Sequence, residues 1–282
     1  MNFGIYGFPQ GLGLNYGLYG LNSPYSSWVP RDNPNLIFQG LAKNIAQSVG
    51  SNVTAWKDES LKSNNVTSVI NSPILDNDVA PFIRFSSSSN NALTSNFNLS
   101  FSVTRKISIV KIIKSFSTVN SWYLSLNPLN GEDYLKGFST YYASSQGGEL
   151  NIFGNGLSNY NDKSYTTINT NRRLTSFSYT SSAINIFREN GLNLSPTTGA
   201  AGGSSPLFLN IAQPVQRLVV GGRTFTTGFN VDSTGDVGIY ALLIFNDALS
   251  LDELLKAEGF LCWQCNSVDL LPNSHPYKLF AP

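Results

Sequence analysis

With 282 residues, 41% of them hydrophobic and 12% aromatic, the chain carries enough apolar surface for a full core, and one sandwich-sized domain can use all of it. Only 12% of residues are charged, and 18 Lys and Arg against 17 Asp and Glu leave a net charge of +1. That balance offers no field to hold a phosphate backbone, which excludes sequence-independent nucleic-acid binding, and no run of about 18 apolar residues is present to span a membrane.

The first predicted element is an arm. From residue 3 to residue 25 nothing is charged, and glycine recurs at positions 4, 7, 11, 13, 17 and 20. Between the glycines stand Phe3, Ile5, Tyr6, Phe8, Leu12, Leu14, Tyr16, Leu18, Tyr19 and Leu21. So much glycine defeats a helix, and so many large apolar side chains defeat a solvated linker. Such a segment loses more backbone entropy on ordering than its own side chains return by burial. Residues 1–35 are therefore expected to be an extended assembly arm, ordered by docking on other proteins of an assembly or on copies of this chain. The alternative is an arm that lies across its own globule. The opening Met-Asn-Phe-Gly-Ile-Tyr-Gly also lacks the basic region and continuous apolar stretch of a secretory signal, so synthesis in a host cytoplasm is the expectation.

Beyond residue 36 the pattern changes. Apolar runs at 107–113, 122–126, 149–153, 176–179, 184–187, 218–220 and 237–245 are broken by Gly, Asn, Ser and Pro. Several alternate in period two, as Ile107, Ile109 and Lys111 do against Ser108 and Val110, and β-branched and aromatic residues are frequent. Asn190-Gly191, between two such runs, is the dipeptide of a tight hairpin turn. Strands and helices do not alternate, so an antiparallel sheet is predicted rather than a doubly wound one.

Chemistry-bearing residues are sparse. A sandwich glycosidase needs carboxylates aligned on one strand, yet Glu132 and Asp133 are adjacent and would face opposite ways if extended. Asp232 and Asp236 share a parity, but Ser233-Thr234-Gly235 between them reads as a turn. His275 is the sole histidine, and no Gly-x-Ser-x-Gly elbow accompanies it, so a packing role with a hydrogen-bonded ring is expected. Cys262 and Cys265 are too few ligands for structural zinc and read as buried thiols. No catalytic residue and no metal ligand is assigned. For sugar recognition, which wants a ring among planar amides and carboxylates, the best run is Asn159, Tyr160, Asn161 and Asp162, with Trp122, Tyr141 and Tyr142 behind it. The same four residues also read as an ordinary polar turn.

The end of the chain is the most telling part. A strand over 237–245 leaves through Asn246-Asp247-Ala248-Leu249, and Ser250 with Glu253 forms a capping-box spacing ahead of Leu251, Leu254, Leu255 and the apolar 257–261 stretch. A tail with Leu271, Pro272, His275, Pro276 and Tyr277 follows. Strand, turn, capped helix, Glu258-Gly259-Phe260-Leu261 and this tail resemble the closing segment of concanavalin A-like lectin domains of the laminin-G-like branch, found in phage and bacterial surface proteins. Upstream, Val53-Thr54-Ala55-Trp56-Lys57-Asp58-Glu59-Ser60 resembles that family's Val-x-x-Trp-x-Asp-x-Ser. Pro81-Phe82-Ile83-Arg84-Phe85, followed by Asn91-Ala92-Leu93, resembles its Pro-x-x-Arg-Phe strand. Cys262 and Cys265 depart from the pattern, which has a small residue and an aromatic there.

The resemblance brackets residues 36–282 and implies an all-β, antiparallel concanavalin A-like jelly-roll sandwich with a short C-terminal helix. Related lectin folds often hold calcium, but no Asp/Asn cluster here matches a known ligand run, so no cofactor is assigned. Members of the family do many different things. Arm, low charge and sparse chemistry together lead us to expect a non-enzymatic structural protein of a virion, such as a capsid decoration, head fibre or tail-associated subunit, displayed on the virion surface and binding host surface polysaccharide. A carbohydrate-binding adhesin or cell-surface module, or a receptor-binding tail fibre protein, is the alternative.

Overall fold

The computed structural model describes residues 28–86, 88–97, 106–117, 120–128, 138–143, 148–154, 160–165, 170–180, 183–194, 197–198, 216–225, 230–232 and 236–282. The arm residues from Phe3 to Leu21 named above lie outside this set, as do Glu132 and Asp133. The strands of the first half are β1 (Leu36–Leu41), β2 (Ser68–Ile70), β3 (Ile74–Asn77), β4 (Pro81–Phe85), β5 (Ala92–Phe97), β6 (Ile107–Ser115), β7 (Ser121–Pro128) and β8 (Phe138–Ala143). The second half adds β9 (Gly148–Gly154), β10 (Tyr160–Tyr165), β11 (Arg172–Thr180), β12 (Ala183–Glu189), β13 (Leu192–Asn193), β14 (Thr197–Thr198), β15 (Gln216–Val220), β16 (Arg223–Phe225), β17 (Asn230–Asp232) and β18 (Val237–Phe245). One helix, α1 (Leu251–Gln264), follows the last strand.

These strands form two eight-stranded antiparallel sheets and a small β16–β17 ribbon. The first sheet runs β13-β12-β11-β6-β18-β4-β3, with β1 also paired to β18. The second runs β14-β10-β9-β8-β7-β15-β5-β2. Between them lies a core that includes Phe38, Trp56, Ile109, Ile113, Tyr123, Phe177 and Leu242. On the far side of the first sheet a second core joins Val110, Ile112, Leu174 and Leu243 to Leu254, Ala257, Leu261 and Cys262 of α1. The protein is thus an all-β sandwich with one short C-terminal helix.

The central strand explains its own sequence. A sheet covered on both faces needs apolar residues at every position, and all nine residues of β18 are buried. Val237, Ile239, Leu242 and Ile244 face the other sheet, whereas Tyr240, Ala241, Leu243 and Phe245 face the helix. Two consecutive residues, Tyr240 and Ala241, share the helix side because the register shifts between Ile239 and Ala241, where a bulge adds one residue.

Local signals hold elsewhere. Ser250 and Glu253 form the reciprocal capping box, the Ser250 N–H donating to Glu253 Oε2 at 2.9 Å and the Glu253 N–H to Ser250 Oγ at 3.3 Å. Asn190 and Gly191 turn β12 into β13 with φ of 48° and 74°, a pair of positive angles that a side chain larger than Asn resists. The Trp56-to-Ser60 motif is a loop clasped by one carboxylate. Buried Asp58 accepts from the backbone N–H of Gln39 (2.8 Å), Ser60 (2.8 Å) and Asn64 (2.7 Å) and from Ser60 Oγ (2.6 Å). It therefore fixes β1 against the loop that carries Trp56.

Candidate functional site

Sole histidine His275 sits in a sealed cluster around Glu258 of α1. The Glu258 carboxylate is 0% exposed and accepts from Arg188 Nε at 2.8 Å, from Ser176 Oγ and from His275 Nε2 at 3.1 Å. His275 Nδ1 accepts the Tyr277 backbone N–H, which leaves Nε2 as the proton-bearing nitrogen facing the carboxylate. Arg188 also reaches the Gly191 carbonyl and the Asn193 side chain, so the hairpin turn, helix and tail close on one ion pair. Serine, histidine and carboxylate meet here, but the carboxylate stands between the other two and all three are buried, so nothing delivers a substrate to a nucleophile. The cluster explains the Glu258 and His275 positions as partners in packing. Cys262 and Cys265 are free and buried; desolvation raises both thiols, Cys265 to about 12, which keeps them protonated and unreactive.

Aromatic residues gather on the second sheet. β7 and β8 place Trp122 opposite Tyr141, and their rings stack with centroids 4.1 Å apart and planes 20° apart. Arg223, at the start of the β16–β17 ribbon, lays its guanidinium 4.4 Å from the Trp122 ring centroid. Trp122 keeps only 4% of its surface and Tyr141 is half-buried, so Tyr141 is the ring an outside molecule meets. Of the predicted sugar-binding run, Asn159 lies outside the described residues. Tyr160, Asn161 and Asp162 open β10, in a strand rather than a turn, two strands from β8. Cα register runs from Asn161 through Phe153 to core residue Phe138, and from Asp162 through Ile152 to Ser139, two residues from Tyr141. The alternation that places Tyr141 thus groups Tyr160 and Asp162 with it and sets Asn161 on the other parity.

A cleft elsewhere has no counterpart among the sequence expectations. A cleft of about 280 Å³ is lined by Leu41, Asn44, Trp56, Lys57 and Glu59. Glu59 Oε1 accepts from Asn44 Nδ2 at 2.7 Å and Oε2 from Gln39 Nε2 at 3.3 Å. Trp56 is 1% exposed, held edge-to-face by Phe38 at 5.4 Å, and its indole N–H finds no partner among the described residues. Gly40 makes room for it: a Cβ there would sit 2.6 Å from Trp56 Cε2 and Cζ2. The Trp56 motif was visible in the sequence, but the amide-bound carboxylate beside it depends on β1 and has no local signal.

The class of protein follows from this fold: an antiparallel β-sandwich with a cleft beside Trp56 and a sealed histidine cluster. No family model matches the sequence, and no curated protein matches it. Among solved structures, the chain is similar to the botulinum neurotoxin serotype D/C VPI 5993 binding domain (TM-score 0.53, 12% identity, covering 80% of this chain and 52% of that one). It is similar to the binding domain of botulinum neurotoxin DC in complex with SialylT (TM-score 0.53, 11% identity, 81% and 52% coverage). Trypanosoma rangeli sialidase in complex with sialic acid is also similar (TM-score 0.50, 10% identity, 81% and 33% coverage). The chain spans about half the length of the binding domains it matches, and at this identity the likeness establishes the fold.

Proposed function

We propose that the protein is a non-enzymatic, glycan-binding surface module, a concanavalin A-like jelly roll over residues 36–282, with residues 1–35 anchoring it in a larger assembly. The observation that carries the reading is Tyr141, a half-buried ring stiffened by Trp122 and Arg223, in a sheet whose register groups it with Tyr160 and Asp162. Rigid aromatic faces stack on sugar rings, and a carboxylate nearby accepts from hydroxyls. Two of the similar structures are complexes, one with sialic acid and one with SialylT, which supports glycans as the ligand class here. The uncharged, glycine-rich arm supports a virion as the assembly, the module facing outward and the arm seated on other virion proteins or on copies of itself.

A glycan array tests the binding. The full chain retains a defined set of surface glycans, and Tyr141→Ala and Tyr160→Ala each lose them at unchanged thermal stability. An array that stays blank, or one that both variants reproduce, removes the proposal.

A further inference from the structure

We propose that the apolar patch of Trp263, Leu279 and Phe280, beside the end of α1, receives the uncharged arm of a second copy of this chain; the proposal rests on the reading of residues 1–35 as the anchoring segment. The three side chains are 37%, 74% and 56% exposed. They lie together because the tail folds back along the helix. Trp263 donates its indole N–H to the Tyr277 carbonyl at 3.0 Å, and a Cβ at Gly259 would sit 2.5 Å from Tyr277 Cβ, so the tail passes the second half of α1. Leu279 and Phe280 follow within about 10 Å along the chain. Single exposed leucines are ordinary, whereas large apolar residues gathered on one surface mark an interaction site. Charges nearby are turned elsewhere: Lys278 Nζ donates to the Val268 and Leu271 carbonyls at 2.8 and 2.7 Å, and Lys256 pairs with Asp252 at 2.6 Å.

Chemistry and position together choose the occupant. A charged segment laid on this patch would lose water without gaining a counter-charge, so the cover must be apolar and uncharged. The chain carries such a segment, since nothing from residue 3 to residue 25 is charged and ten large apolar side chains stand between its glycines. The described chain begins at Trp28, which packs against the core shared by α1 and the first sheet, and Asn33 Nδ2 donates to Glu253 Oε1 at 3.5 Å in the first turn of α1. The arm therefore starts on the face that bears the patch, with the 14 residues of α1, about 20 Å, between them. Its 25 residues can reach up to about 80 Å, far enough for a neighbouring molecule. One chain by itself leaves all three side chains open, which points to a neighbour's arm as the cover. With exit and acceptor on the same face, two copies about a twofold axis exchange arms reciprocally, and the pair closes.

Mixed-isotope cross-linking tests this on the full chain. The photoreactive p-benzoylphenylalanine is placed at Tyr6 or at Tyr16, ¹⁴N and ¹⁵N chains are mixed and irradiated, and the products are mapped by mass spectrometry. The arm links to residues 257–282, in pairs that join one light and one heavy chain, and sedimentation of the unmodified protein shows a two-chain species. Leu279→Ser with Phe280→Ser, both at exposed positions, leaves the melting temperature in place and raises the dissociation constant of that species about a hundredfold or more, the loss of two apolar side chains from the contact. Trp263 stays unchanged because its indole ties the tail to the helix. Links confined to single chains, pairing at undiminished affinity in the double-serine variant, or a full chain that sediments as one copy at every concentration overturns the proposal. Deleting residues 1–25 tells the two levels apart. If the truncated chain pairs as the full chain does, the anchoring role of the arm fails as well; if truncation abolishes pairing and the serines do not, the patch alone is wrong.

Discussion

Glu258→Leu removes the acceptor shared by Arg188, Ser176 and His275 and leaves a guanidinium, whose side chain is 6% exposed, without its counter-charge. Removing one partner of a buried ion pair costs about 3–5 kcal/mol, because the remaining charge stays desolvated. For a domain of this size each kcal/mol moves the melting temperature by about 2–4 °C, so Glu258→Leu should melt roughly 6–20 °C lower. Replacing both partners, as Glu258→Leu with Arg188→Met, takes the stranded charge away. The double variant should recover most of the loss, keeping a deficit of about 1–3 kcal/mol for the His275 ring left without a partner. Urea unfolding followed by tryptophan fluorescence measures Glu258→Leu, Arg188→Met and the double variant against the wild type. A single variant within about 1 kcal/mol of wild type, or a double variant as damaged as the sum of its parts, would refute the shared-acceptor reasoning.

Other perturbations separate the remaining parts. Gly40→Ala forces a methyl group to within 2.6 Å of the Trp56 ring, so it should cost about 1–3 kcal/mol and shift the Trp56 fluorescence, and a neutral effect on both would contradict the packing. Burial raises Asp78, but hydrogen bonds from Tyr240 at 2.7 Å and Lys114 at 3.0 Å outweigh it and hold the carboxyl below its ordinary 3.8. Its stabilising effect is therefore present above pH 3.8 and lost as pH falls through the lower folded value, and Asp78→Asn should flatten the acid limb of a stability-versus-pH curve. Deleting residues 1–25 should leave a stable sandwich that no longer assembles; aggregation of the truncated chain would instead place the arm on its own globule.

The elements readable in the sequence are those whose causes are local. Ser250 and Glu253 are three residues apart and cap the helix between themselves; Asn190-Gly191 turns its own hairpin; β18 carries its double burial in an unbroken apolar run. Lys111 was grouped with Ile107 and Ile109 by alternation, and the fold keeps that grouping while burying the lysine. What alternation cannot reveal is the reason: Lys111 and Arg173 both lie over the Tyr123 ring, at 5.8 and 5.7 Å, and Arg173 donates to its hydroxyl at 2.5 Å, contacts made across the sandwich. Glu258 and His275 stood out as parts of a pattern, yet the third partner, Arg188, is 70 residues away in sequence. The sugar-binding candidates show the same division. The run Asn159 to Asp162 also reads as a turn because three polar residues in four suit one, and only pairing with β9 puts Tyr160 to Asp162 in a sheet. Trp122 and Tyr141 were seen singly; strand register brings them together, and Arg223 joins them from a third strand with no spacing signal at all.

The central claim is that this sandwich holds a glycan without altering it. The most direct measurement is mass spectrometry of the best array ligand after equilibrium dialysis against the full chain, with Tyr141→Ala in parallel. The account predicts saturable retention by the wild type, loss of retention in the variant, and a ligand recovered at its original mass. Cleavage products from the wild type, or equal retention by both proteins, would contradict it.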